Sequence, residues 1–291
     1  VIVAPLRPRI CGWLVALSLA LTACSAIELD VFNLPVPRQG YRRVSDLAYG
    51  PLAEQHLDVY LPQPVPEAAP VVVFLHGGSW TYGDKGGYRF VGQALTARGF
   101  VVMVADFRQY PLVRFPLFLE DAARALAFAY HHAADYGGDP ARLFVMGHSS
   151  GAHMAAMLAL DPHYLAALGL SPAILRGVVG LAGPYDFLPF TADNVKDIFS
   201  PANEDLAQTQ PITFVSRQAP DFLLLHGADD IDVSPKNSNH LAARLREAGA
   251  LVQEHVYPHM AHLGVLLDLS PLLQGRASVM DDIANFIAQR S

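Results

Sequence analysis

Five consecutive residues, Gly147-His148-Ser149-Ser150-Gly151, read G-x-S-x-G. A serine so placed can attack a carbonyl carbon when it sits on a sharp strand-to-helix turn. Residues 142–146 before it read as a buried strand, and residues 152–160 after it read as a helix. The turn between them would push Ser149 Oγ out over the end of a sheet. The flanking glycines fit a corner where strand and helix approach too closely for side chains. Gly and Ser are common, and three such positions recur by chance in about one chain in ten of this length. The groups that must cooperate with Ser149 therefore decide whether the match has meaning.

Acyl transfer by serine needs donors for an oxyanion, a base for the Oγ proton and an acid that holds the base. His76-Gly77-Gly78-Ser79-Trp80 directly follows an apolar run. Glycines there leave backbone N–H groups free to face a substrate oxygen. Gly77 and Gly78 are the candidate donors, with the N–H of Ser150, the residue after the nucleophile. Asp229, Asp230 and Asp232 follow another apolar run and compete as the acid. His255, within the last expected strand, and His259 and His262, just beyond it, compete as the base. Every choice among them keeps the chain order serine, acid, histidine.

The elements that would position these groups alternate along the chain. Strands are expected at residues 55–61, 71–75, 100–105, 142–146, 175–181, 222–226 and 252–257 from alternating or continuous apolar patterns. Helices are expected at residues 87–98, 117–134, 152–160, 236–248 and 278–289. Such alternation predicts an α/β fold, a mostly parallel central sheet with helices on both faces. Residues 184–216 lack clean periodicity and are expected to form a small cap over the carboxyl edge of the sheet. In that cap Tyr185, Phe187, Phe190 and Phe199 could line an apolar substrate site, as could Trp80. Asp106 and Arg108 are expected to form a buried structural pair, and His153 to pack its helix. His131 and His132 point about 100° apart on a helix, which argues against a shared metal. No metal or cofactor is expected.

The first residues read differently. Arg7 and Arg9 precede a nearly unbroken apolar stretch, residues 10–23, which is too short to span a bilayer and has the form of a secretory signal peptide. Leu21-Thr22-Ala23-Cys24 resembles a bacterial lipobox. The expected organisation is a signal peptide at residues 1–23, a tether at 24–40 and a single domain at 41–291. Cys24 would carry lipid, anchoring an exported protein to the cell envelope. The chain has only two cysteines, and the other, Cys11, lies in the segment to be removed. The domain would thus hold no disulfide and depend on its core, which 52% hydrophobic residues can supply. The formal net charge of −7 and the absence of a basic cluster exclude a nucleic-acid partner.

From about residue 57 onward the chain resembles the carboxylesterase and lipase branch of the α/β-hydrolases. Related groups are the hormone-sensitive-lipase-like, kynurenine-formamidase-like and prenylcysteine-methylesterase-like enzymes. The resemblance rests on His76-Gly77-Gly78-Ser79-Trp80, Asp106-Phe107-Arg108, Gly137-Gly138-Asp139-Pro140, Gly147–Gly151 with Ala152-His153, and His226-Gly227-Ala228-Asp229-Asp230. It implies the α/β-hydrolase fold, with Ser149 as nucleophile, Asp230 as acid and His262 as base. It implies hydrolysis of a small-molecule carboxylic ester through an acyl-enzyme. An amidase such as a formamidase is the alternative on the same triad, and a non-catalytic envelope binding protein stands outside enzymes altogether. One departure is Ser79, where hormone-sensitive-type lipases usually carry a third glycine.

Overall fold

The computed structural model describes residues 29–202 and 205–290. The expected signal peptide and Cys24, the expected site of lipid attachment, lie outside the described residues. Among the described residues eight strands form one sheet in the order β1-β2-β4-β3-β5-β6-β7-β8. They are β1 (Tyr41–Ala48), β2 (His56–Pro62), β3 (Ala69–Leu75), β4 (Val101–Ala105), β5 (Gly138–His148), β6 (Leu175–Leu181), β7 (Asp221–Gly227) and β8 (Val252–Tyr257). β4, β3 and β5 to β8 run parallel, whereas β2 is antiparallel to both β1 and β4. Every residue of β3 is buried, as its unbroken apolar sequence requires when both faces of the sheet are covered.

Five longer helices cover the sheet: α1 (Arg89–Thr96), α2 (Leu117–His132), α3 (Ser150–Leu160), α4 (Lys236–Ala248) and α5 (Val279–Arg290). Successive strand residues point to opposite faces. Val71, Val73 and Leu75 of β3 accordingly join a core with Phe118 of α2, Met154 of α3 and Leu241 of α4. Val72 and Phe74 join a second core with Phe90 of α1 and Phe286 of α5. All residues of α3 are buried, so the helix that follows Ser149 is held from every side. None of the helices among the described residues is long and apolar enough to cross a membrane.

The observed topology is the α/β-hydrolase fold, as the resemblance implied. Two features were not anticipated. β1 was not read as a strand because it is an exposed edge with arginines, and its register shifts between Val44 and Leu47. A bulge of that kind breaks the alternation that marks a strand. The second feature lies in residues 29–36, expected to be part of a tether but packed on the domain. Asn33 Nδ2 donates to the carbonyls of Gly86 and Gly87 at 3.0 and 3.1 Å, and its Oδ1 accepts from Phe90 N at 3.0 Å. The Arg89 guanidinium donates to the Asn33 carbonyl. Phe32 packs on Phe90 at 6.4 Å between ring centroids, and Val36 is buried.

Candidate active site

Ser149 occupies the corner between β5 and α3 with φ 53° and ψ −121°. A left-handed φ is strained for a residue with a Cβ, and it turns the side chain out of the core. The neighbouring glycines have a steric cause. A Cβ on Gly147 would lie 2.2 Å from the Gly151 carbonyl oxygen, and one on Gly151 would lie 2.0 Å from that of Leu75. Any side chain at either position would force strand and helix apart.

His262, in the turn after β8, places Nε2 2.8 Å from Ser149 Oγ. Its Nδ1 lies 2.8 Å from Oδ2 of Asp230, in the loop after β7. Asp230 is the acceptor, so Nδ1 carries the proton and Nε2 is free to accept from the serine hydroxyl. Asp230 is 6% exposed. Its Oδ1 accepts from the backbone N–H groups of Asp232 and Val233 at 3.0 and 2.9 Å. Its Oδ2 also meets His226 Nε2 at 3.1 Å. Burial pushes the Asp230 carboxyl up, but the hydrogen bonds from His226, His262 and Val233 outweigh it and hold the group well below the usual carboxylate range.

The competing residues fall elsewhere. His259 is 95% exposed and faces Asp229, itself exposed, at 3.8 Å. His255 is exposed on β8. Asp230, Asp232 and His262 offer donor atoms within 4.8 Å of one another, the one such group among the described residues. Both oxygens of Asp230 are already taken by protein donors, so the set is poorly suited to a metal ion.

The loop after β3 supplies free N–H groups. Gly78 has φ +125°, and Ser79 and Trp80 follow with φ 52° and 59°. A Cβ on Gly78 would lie 1.8 Å from the Tyr82 carbonyl oxygen. Among the described residues the N–H groups of Gly78 and Ser79 donate to no acceptor, and that of Ser150, first in its helix, has no intrahelical partner. Gly78, Ser79 and Ser150 all line cavities beside Ser149. Gly77, expected as a donor, does not. It lies beneath the nucleophile, where a Cβ would stand 2.7 Å from His148 Nδ1 and 3.3 Å from Ser149 Cβ. Ser79 went unread because its side chain gives no signal; its contribution is a backbone group.

Two cavities meet at Ser149. The smaller, about 440 Å³, is lined by residues that include Ser79, Trp80, Ser150, Phe187, Phe190 and His240. The larger, about 750 Å³, is lined by Gly78, His148, His262 and residues of the N-terminal segment. Trp80 and Phe187, two of the residues expected at a substrate site, line the smaller cavity. Tyr185 borders neither cavity. It is fully buried against Gly180 and Gly183, where its ring fills the space their missing side chains leave.

The cap of residues 184–216 consists of a short helix, Asp193–Ile198, and three 3₁₀ turns. Trp80 packs on Phe187 and Phe199 at 6.1 and 4.9 Å between ring centroids, and Phe190 stacks on Phe199 at 5.3 Å. Polar ties fix the cap. Asn237 Oδ1 accepts from the N–H groups of Tyr185 and Asp186 at 2.8 Å each. His153 Nε2 donates to the Thr209 carbonyl at 2.9 Å. Burial lowers the pKa of His153 to about 4. It lowers that of His148, whose Nε2 donates to the His262 carbonyl at 3.2 Å, to about 3.

The expected pairing of Asp106 with Arg108 is wrong in its partners. Arg108 makes a bidentate contact to Asp121 of α2, with Nε and Nη2 each 2.7 Å from a carboxylate oxygen. Asp106 accepts from Lys85 N at 2.5 Å and faces Lys85 Nζ at 3.2 Å. A rigid guanidinium fork matches the carboxylate on α2, while Asp106 fastens the loop that follows Gly78.

A mostly parallel sheet with a serine on its β5–α3 corner, an acid after β7 and a histidine after β8 defines an α/β-hydrolase. Within that class the chain belongs to the BD-FAE family, which it matches over residues 57–245. A probable isoprenylcysteine alpha-carbonyl methylesterase of Arabidopsis thaliana, ICMEL1, is 28% identical over 262 residues, covering 83% of this chain and 55% of that protein. Esterase LipQ of Mycobacterium tuberculosis is 28% identical over 280 residues, 89% of this chain and 65% of that protein. The chain therefore spans 55% to 65% of these relatives. Together they bear out the resemblance to the carboxylesterase branch. Among solved structures, esterase B from Lactobacillus rhamnosis matches with a TM-score of 0.77 at 20% identity, covering 96% of each chain. A truncated carbohydrate esterase from gut microbiota matches at 0.75 and 21% identity, covering 87% of this chain and 98% of that one. At that identity both speak for the fold.

Proposed function

We propose that this protein hydrolyses carboxylic esters, with Ser149, His262 and Asp230 as its catalytic triad. The observation that carries the reading is the unbroken chain from Asp230 Oδ2 through His262 to Ser149 Oγ, 2.8 Å at each step, ending on a strained corner beside two cavities. Ser149 Oγ attacks the ester carbonyl and its proton passes to His262 Nε2. The oxyanion that forms takes hydrogen bonds from the N–H groups of Gly78, Ser79 and Ser150. Asp230 holds the Nδ1 proton and stabilises the imidazolium. The carbon–oxygen bond to the alcohol breaks as His262 returns the proton to the leaving oxygen. Water then repeats the cycle on the acyl-enzyme. The chemistry requires no cofactor. The names of the relatives, a probable methylesterase and an esterase, agree with an ester substrate.

A fluorophosphonate probe tests the reading, because it labels only an activated serine. One adduct on Ser149 is expected, absent in Ser149→Ala, together with turnover of a short p-nitrophenyl ester and little of N-formylkynurenine. Preference for the amide would make the protein an amidase, and no adduct on folded protein would make it non-catalytic. We also propose that the protein is exported and acylated on Cys24. Incorporation of labelled palmitate by the full chain, lost in Cys24→Ser, is the matching test.

A further inference from the structure

The two cavities beside Ser149 are not equivalent, and the proposed reaction assigns them. The leaving oxygen must receive its proton from His262 Nε2, so the alcohol part of the ester lies on the side that His262 borders. His262 and its neighbour Leu263 line the larger cavity. Ser79 and Ser149 line both cavities, but the smaller is lined by Ser150 and Trp80 and not by His262, and so takes the acyl part. At about 750 Å³ the alcohol side has the volume of a site for a drug-sized group, far more than a methyl group needs.

Its apolar wall comes from an unexpected place. Leu29, Val31 and Phe32 of the N-terminal segment line it, facing Val195 of the cap and Leu267. The segment is pinned from behind by Asn33, Phe32 and Val36, as described above, while Val31 remains 46% exposed on the cavity side. A helix start held by Asn33 is a rigid mount for a wall. From this we infer that the larger cavity binds the alcohol moiety, and that residues 29–32 make it select esters of bulky apolar alcohols. The inference rests on the ester-hydrolase reading and names the substrate class of that same site.

Two isomeric esters test it, since hexyl acetate and methyl heptanoate share one formula and differ in which side carries the chain. In full-length wild-type protein kcat/KM should favour hexyl acetate, gaining about fourfold for each methylene the cavity buries. Leu29→Ser and, separately, Val31→Ser should lower the ratio of hexyl acetate to methyl heptanoate about tenfold. Because the readout is a ratio within one preparation, partial loss of folded protein does not disturb it, and exposed Val31 tolerates serine in any case. A wild-type preference for methyl heptanoate overturns the assignment of the cavities. A ratio untouched by both substitutions overturns the role of the segment. Either result leaves the ester-hydrolase reading standing, whereas absence of turnover with any ester overturns both together.

Discussion

Asp230 is the residue on which the site turns, and its surroundings say more than its identity. Its two oxygens face His262, His226 and two backbone N–H groups, so it stays ionised in a buried place. His226 Nε2 lies 2.9 Å from the Val233 carbonyl as well as 3.1 Å from Asp230, so that nitrogen carries the proton. Its Nδ1 then accepts from Ser238 Oγ at 2.8 Å. Ser238 thereby fixes the tautomer of His226, and His226 fixes Asp230. Two substitutions separate these roles. Asp230→Asn should lower kcat about 10⁴-fold with little change in KM, because the amide favours the wrong tautomer of His262. Ser238→Ala removes only the remote lock, and should lower kcat by about tenfold or less at constant KM. Steady-state kinetics on one p-nitrophenyl ester checks both, and a raised KM without loss of kcat in either variant would contradict these assignments. The depressed carboxyl has a stability consequence of known sign. A group whose pKa falls on folding stabilises above its unfolded value, near 3.9, and that contribution is lost as pH falls through the folded value. Ser149 was legible in the sequence because a G-x-S-x-G motif frames it, and Gly78 because its backbone geometry demands glycine. Ser79 and Ser238 were not, because one acts through its N–H and the other from α4, through a contact that only folding creates.

The cap is the element whose internal structure sequence patterning does not reach. Its short turns carry no periodicity, so residues 184–216 could be recognised only as an interruption of the strand-helix alternation. What holds it is a set of contacts to neighbouring elements: Asn237 of α4 to the backbone of Tyr185 and Asp186, and His153 of α3 to Thr209. His153 stands edge-on to Trp80 at 5.1 Å and is fully buried, so it must remain neutral for the cap to stay seated. Burial sets its pKa to about 4, against an unfolded value near 6.5. Between those values the unfolded chain binds the extra proton and the folded chain does not, so stability falls as pH is lowered through that window. His148, set to about 3 by burial, acts in the same sense. Thermal unfolding followed from pH 7 to pH 5 should show Tm dropping, and His153→Gln, which keeps a donor for Thr209, should flatten part of that drop. An equal slope in both proteins would show that His153 does not carry the effect. The edge strand β1 makes the complementary point about legibility, since a bulged, half-exposed element has neither the unbroken apolar run of β3 nor a clean alternation.

At the scale of the whole molecule, the boundary between tether and domain moves toward the N-terminus. Residues 29–36 were indistinguishable from linker in the sequence, because eight residues with apolar positions 29, 31, 32, 34 and 36 show no usable period and Asn33 gains its meaning only against α1. Docked, they stand beside the cavity that holds His262. Cys24 precedes Leu29 by five residues, which at about 3.6 Å per residue reach no farther than about 18 Å. Acylation at Cys24, as proposed above, would therefore hold the mouth of the larger cavity close to a lipid surface. A bulky apolar alcohol partitions its ester into that same surface, so enzyme and substrate would share a thin layer instead of a volume. Tethering of this kind raises the effective concentration of substrate without changing any contact in the site. Acylated protein on vesicles that contain dodecyl acetate should accordingly outpace Cys24→Ser protein added to the same vesicles by about tenfold or more. With methyl acetate, which stays in water, the two proteins should turn over at the same rate. Equal rates on dodecyl acetate would show that the anchor sets location alone, and that substrate reaches the N-terminal wall of the cavity from solution.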